Sequence, residues 1–90
     1  MRHPLDEFKT YLATRGRRLT QEREIVARAV FTLRPPFTAE AVLKAIRLLH
    51  AESRVSRATV FRTLKSLCDG DLISARTDSG EVLYDHPFRS

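Results

Sequence analysis

Apolar residues fall at helical spacing through the first two thirds of the chain and alternate near its end. Leu5, Phe8 and Leu12 recur at i, i+3 and i+7 between Pro4 and Gly16, which predicts a first amphipathic helix over about residues 4–15. Thr20 is an N-cap candidate and Glu22 and Glu24 follow in the first turn, where acids favour the helix dipole. Ile25, Val26, Ala29, Val30 and Leu33 then predict a second helix over about 21–33, ended by Pro35-Pro36. Phe37 precedes a further cap candidate, Thr38, and is placed to staple onto Val42. Ala41, Val42, Ala45, Ile46 and Leu49 predict a third helix over about 39–50.

A fourth helix opens at Ser56, with Val55 placed to staple onto Val60, and closes near Gly70, a natural helix-ending residue. At 100° per residue Val60, Leu64, Leu67 and Cys68 share one arc, while Ala58, Thr59, Arg62 and Ser66 point away from it. Cys68 is therefore expected to be packed rather than reactive. Beyond Gly70, residues 72–77 and 81–85 flank the turn signal Asp78-Ser79-Gly80. They alternate in the β sense through Ile73, Ala75 and Thr77, then Val82 and Tyr84. His86-Pro87-Phe88-Arg89-Ser90 reads as the start of a hinge or as a frayed tail. The expected fold is mainly α with a small β-hairpin, a winged helix-turn-helix domain over residues 1–85. Its core is expected from Phe8, Leu12, Ile25, Val26, Val30, Val42, Ile46, Val60, Leu64 and Leu67.

Charge changes the picture from a small helical domain to one with a partner. Sixteen Lys+Arg, mostly arginine, stand against 11 Asp+Glu, for a net charge of +5. Arginine's planar fork suits phosphate and guanine, so a nucleic-acid partner is one reading and a merely soluble basic surface the other. Residues 53–68 hold Arg54, Arg57, Arg62 and Lys65 with no acid among them, and the outward face of the fourth helix is otherwise small or hydroxyl-bearing. Such a helix can lie close to a phosphate backbone and reach base edges, which makes it a candidate recognition helix. Arg15-Gly16-Arg17-Arg18 forms a basic elbow that either follows phosphates into a minor groove or is a solvated loop.

Other chemistries are poorly represented. The single cysteine excludes an internal disulfide and a cysteine-rich zinc module, and His3, His50 and His86 lie far apart in sequence. Asp85 and His86 are adjacent, but two ligands are not a metal site. There is no glycine-rich phosphate loop, no nucleophile with a base and no carboxylate pair that periodicity brings together, so an enzyme is not expected. No leader-like apolar run and no span of roughly 20 apolar residues occurs, so a soluble, cytoplasmic protein without a membrane partner is expected.

Val55-Ser56-Arg57-Ala58-Thr59-Val60-Phe61-Arg62-Thr63-Leu64, followed by Gly70-Asp71-Leu72-Ile73, resembles the recognition helix of the ferric uptake regulator family, usually written Ala-Thr-Val-Tyr-Arg-Thr-Leu. Arg15 to Arg23 is similar to the family's Gly-x-Arg-x-Thr-x-x-Arg entry into its second helix, and Phe37-Thr38-Ala39-Glu40 to the start of its third. The resemblance covers about residues 5–85. It implies a bacterial transcription regulator that binds operator DNA as a dimer and answers to a metal ion or peroxide. Phe61 and Arg62 would then contact DNA, and Arg18 would approach the minor groove. Phe61 replaces the usual tyrosine; it has no hydroxyl, and it either presses on a thymine methyl or sits at the edge of the core.

The resemblance further implies a dimerisation domain after the wing, with a His-rich segment and Cys-x-x-Cys pairs, and these 90 residues contain neither. A family position that often holds a metal-binding histidine is Pro36 or Phe37 here. No metal site and no cofactor are therefore expected within the chain, although a full-length family member would bind zinc or iron. A homodimer is expected only if a dimerisation domain follows. The expected function is sequence-specific recognition of double-stranded DNA, with Arg57, Thr59, Phe61 and Arg62 at the major groove. Arg17, Arg18 and Arg76 are expected at the backbone or minor groove. The alternative is a winged-helix module that binds an acidic protein with the same helix.

Overall fold

Each helix starts at a polar acceptor whose side chain closes the first turn. In this computed structural model, which describes residues 3–88, α1 spans Pro4–Thr14, α2 Gln21–Thr32, α3 Ala39–Leu49 and α4 Arg57–Asp69. They are followed by β1 (Ser74–Asp78) and β2 (Glu81–Asp85). Thr20 Oγ1 accepts from the Arg23 amide at 3.2 Å, Thr38 Oγ1 from Ala41 at 3.1 Å and Ser56 Oγ from Thr59 at 3.1 Å. Each cap satisfies one of the N-terminal donors that a helix leaves unpaired. His3 caps α1 in the same way, its Nδ1 accepting from the Leu5 amide at 3.0 Å. The first three helices each end one residue short of the range expected from sequence, with Arg15, Leu33 and His50 as C-caps.

Two helix ends fix the segments that carry the candidate binding residues. After α1, the Gly16 amide donates to Ala13 O at 3.1 Å and the Arg17 amide to Leu12 O at 2.8 Å, with Gly16 left-handed at φ 67°. The same paired closure ends α4: Asp71 donates to Cys68 O and Leu72 to Leu67 O, both at 3.0 Å. There, however, the left-handed residue is Asp71 at φ 59°, while Gly70 sits at φ −86°. Gly70 thus ends the helix without using the conformational freedom that pointed to it.

The core forms where α2 packs against α1, α3 and α4. Phe8, Leu12, Val26, Val30, Val42, Ile46, Val60, Leu64 and Leu67 are all buried, each removing apolar area worth about 1.5–3 kcal/mol for a large side chain. Ile25 is the exception among the expected core residues, being only half-buried against the cluster. Because α2 touches three helices it buries a broad arc, Val26, Ala27, Ala29, Val30 and Phe31, and Ile25 falls on its margin. Thr63 is buried as well, and its hydroxyl is satisfied by Thr59 O at 2.8 Å.

β1 and β2 form an antiparallel ribbon whose register runs from Ser74↔Asp85 to Asp78↔Glu81. Ser79 and Gly80 turn it, both at positive φ, 53° and 82°, the mirror-image turn that matches strand twist. The alternation in its sequence does not become a buried face. All of β1 is exposed, Val82 is 44% exposed, and only Tyr84 is buried, because no second layer covers the ribbon beyond its base. Ile73 lies before β1 and belongs to the core. At the base Phe37 exchanges both backbone hydrogen bonds with Tyr84, at 3.0 and 2.7 Å, and their rings stack at 6.0 Å. The residue placed as a staple for α3 therefore also anchors the wing.

The segment expected to be a hinge or frayed end is held as far as it is described. His86 is buried against Phe31, Phe37 and Phe88, since apolar rings left at the end of α2 need a cover. Residues 89–90 lie outside the described residues. Among the described residues no helix is long and apolar enough to cross a membrane.

Candidate nucleic-acid interface

The fourth helix presents two unlike faces because its sequence alternates core and surface at helical spacing. Val60, Thr63, Leu64 and Leu67 face inward, while Arg57, Ala58, Phe61, Arg62 and Lys65 are exposed. Phe61 is 44% exposed, which removes it from the core. Among the described residues the Arg62 side chain hydrogen-bonds only to the Ala58 carbonyl of its own helix, at a long 3.4 Å, so its guanidinium keeps most of its donors for another group. Thr59 is half-buried, and its Oγ1 lies 3.0 Å from Ser56 Oγ, so part of its hydrogen-bonding capacity is spent at the helix cap.

The elbow lies beside this helix. Tyr11, Arg15 and Arg17 line a cleft of about 290 Å³ with Ser66 and Asp69 of α4, so the fold brings Arg17 to the C-terminal half of α4. Arg15 also stacks over the Tyr11 ring, 5.6 Å from its centroid. Arg18 is exposed, and its carbonyl accepts from the Arg23 guanidinium at 2.8 Å. Arg23 closes the motif that resembles the family's entry into its second helix but carries no expected role there; its position in the first turn of α2 lets it reach back and fix the elbow's backbone. Arg76 sits on the exposed wing in a loose pair with Asp85 at 3.8 Å, which solvent screens.

Arg57 is placed differently from the other candidates. Its guanidinium pairs with the Glu40 carboxylate in the first turn of α3. This hydrogen bond holds the Glu40 carboxyl below its ordinary value of 4.5, and holds Arg57 more firmly protonated. Seventeen residues separate the two, so no local spacing rule could have revealed the pair.

The hinge histidine, His86, is held by backbone groups. The Phe88 amide donates to His86 Nδ1 at 3.2 Å, which leaves the ring proton on Nε2, 2.9 Å from Leu33 O. Both ring nitrogens are thus engaged with backbone, and Phe37 occupies the neighbouring position with a ring that cannot coordinate. Among the described residues no three His, Cys, Asp or Glu side chains converge. Cys68 is half-buried, and burial first and Asp69 second push its thiol up from the ordinary value, against metal binding and nucleophilic use.

Comparison with known proteins gives two findings. The family model described as "Ferric uptake regulator family" matches residues 14–87. A "Ferric uptake regulation protein" from Campylobacter upsaliensis is 28% identical over 82 residues, which cover 90% of this chain and 53% of that protein. The chain therefore spans about half the length of the curated relative it matches.

Proposed function

The chain belongs to the ferric uptake regulator family, and from that premise we propose that residues 1–85 are a DNA-reading head that binds double-stranded DNA through α4. Members of the family are metal-responsive transcription regulators rather than enzymes. The single observation that carries the reading to this chain is the outward face of α4, where Phe61 and Arg62 stand exposed above a fully packed inner face. Arg62 supplies a fork for a guanine edge or a phosphate, and Phe61 an apolar plate for a thymine methyl. Thr59 and Arg57 flank them at the start of the helix. Arg17, Arg18 and Arg76 supply phosphate or minor-groove contacts that fix the register of the helix.

In this reading residue 86 begins the connection to the part of the protein that dimerises and binds iron or zinc, and the protein works in the cytoplasm. A pair of heads then reads two half-sites at a spacing that the dimer sets. A second reading is a module that binds an acidic protein with α4; Leu48 and Leu49, 75% and 63% exposed at the end of α3, add an apolar surface that suits a protein partner. Titration of fluorescent duplexes at several salt concentrations separates the two. DNA reading requires steep salt dependence on every duplex together with a preferred sequence that Arg62→Ala weakens. Salt-insensitive binding or indifference to sequence rejects it.

A further inference from the structure

Glu40 stands where an acid is least expected in a basic DNA-reading surface. Among the described residues it is the one carboxylate paired with a candidate contact of α4; it reaches Arg57 from a different helix, and both side chains are largely solvent-exposed. Two positions fix the geometry. Arg57 is the first residue of α4 and Glu40 lies in the first turn of α3, so the pair joins the N-terminal ends of the two helices of the helix-turn-helix.

We propose that Glu40 is a specificity-determining residue that holds Arg57 against α3 and withdraws one cation from sequence-independent phosphate binding. The inference rests on the DNA reading above. Sequence-independent binding is almost wholly phosphate neutralisation, so each cation free to roam adds to it. Once α4 is seated by base contacts its cations have fixed places, and a guanidinium already oriented by a carboxylate loses less freedom there than a mobile one. Glu40 therefore taxes binding to arbitrary DNA more than binding to the preferred sequence. The carboxyl is held below its ordinary value by Arg57, so at neutral pH it is charged and Glu40→Gln removes a real charge.

Glu40→Gln keeps the side chain's shape and an acceptor for Arg57, so a purely structural brace would survive it. The experiment compares wild type, Glu40→Gln, Arg57→Ala and the double variant on two probes. One is a duplex recovered by this protein from a randomised pool, the other a scrambled duplex of equal length. Thermal unfolding of each variant establishes that it folds. The expected result is a gain for Glu40→Gln of about two- to fivefold on the scrambled duplex, with a smaller gain on the recovered one. The salt slope on the scrambled duplex should steepen by about one. Most of the gain should vanish when Arg57 is already alanine.

Weaker binding of Glu40→Gln to both duplexes overturns the inference, because the Glu40 charge would then support binding rather than oppose it. An equal gain on both duplexes, or an undiminished gain in the Arg57→Ala background, also overturns it. If wild type binds DNA and Arg62→Ala weakens it while Glu40→Gln changes nothing, this inference alone falls. Absence of salt-dependent binding by wild type removes the DNA reading and this inference with it.

Discussion

Gly70 meets the face of Tyr11 so closely that a Cβ on Gly70 would lie 2.9 Å from the ring's Cγ. The glycine at the end of α4 is therefore a matter of space rather than of backbone conformation, because its φ of −86° is open to any residue. Gly70→Ala should destabilise by about 1–3 kcal/mol through overpacking, whereas in a Tyr11→Ala background the same change should be neutral or stabilising by up to about 1 kcal/mol. Asp71, which holds the left-handed position, should respond in the opposite sense: Asp71→Gly should gain up to about 1 kcal/mol by relieving the Cβ penalty. Urea unfolding of the four variants checks this. A harmless Gly70→Ala in the wild-type background would show that the Tyr11 ring moves aside.

Leu64 is 1% exposed and lies on the inner arc of α4. Leu64→Ala should cost about 2–5 kcal/mol, a transfer loss plus the cavity left behind. Phe61→Ala, on the outer face, should stay within about 0.5 kcal/mol. Chemical denaturation measures both, and a reversed order would mean that the faces of the helix have been exchanged.

The helices were legible because their information is local. Thr20, Thr38 and Ser56 each sit one residue before a stretch of helical spacing, and all three cap. What sequence concealed was set by contacts across the fold. Phe37 pairs with Tyr84 from 47 residues away, and Glu40 with Arg57 from 17. His86 looked like a tail residue because nothing nearby in sequence shows that Phe31 and Leu33 await it. The wing misled in another way: its apolar alternation is real, but an exposed two-stranded ribbon has no inner layer to bury it. The candidate contact Arg62 followed from helical phase and Phe61 from the family resemblance alone, while Arg23's hold on the elbow followed from neither.

Arg62 should matter most to DNA affinity, since among the described residues it has no hydrogen-bond partner beyond its own helix. Arg62→Ala is expected to cost about 1–3 kcal/mol on a preferred duplex and to relax its sequence preference. Arg18→Ala should weaken all duplexes alike and reduce the salt slope by about one. Fluorescence anisotropy at three or more salt concentrations reads both quantities. Unchanged affinity of Arg62→Ala would remove α4 as the reading helix.

Cys68 should be sluggish toward iodoacetamide at pH 7.5, because burial, and then the charge of Asp69, hold the thiol above its ordinary value of 9.0. The linkage has a defined sign. An unfolded chain ionises this thiol near 9.0 and the folded one only later, so the associated stability is complete below that pH and is lost as pH rises through the folded value. Tyr84, raised chiefly by burial, acts in the same direction at higher pH. Alkylation rates of native and urea-unfolded protein, followed by mass spectrometry from pH 7 to pH 10, should differ most near neutrality. Equal rates would place the sulfur in solvent.

His86 joins the segment after the wing to the end of α2, and its worth is divided between packing and hydrogen bonds. His86→Phe keeps a ring against Phe31, Phe37 and Phe88 but abandons the 2.9 Å contact with Leu33 O and the 3.2 Å bond from the Phe88 amide. Leaving such partly buried groups unpaired should cost about 1–3 kcal/mol. His86→Ala loses the ring as well, and should cost about 3–5 kcal/mol in all. Because both nitrogens are committed to backbone, equimolar zinc should leave the thermal midpoint of this 90-residue chain unchanged. A midpoint that zinc raises in wild type, but not in His86→Phe, would show that the ring leaves its aromatic cage to bind metal. Nitrogen chemical shifts that place the proton on Nδ1 would refute the hydrogen-bond assignment directly.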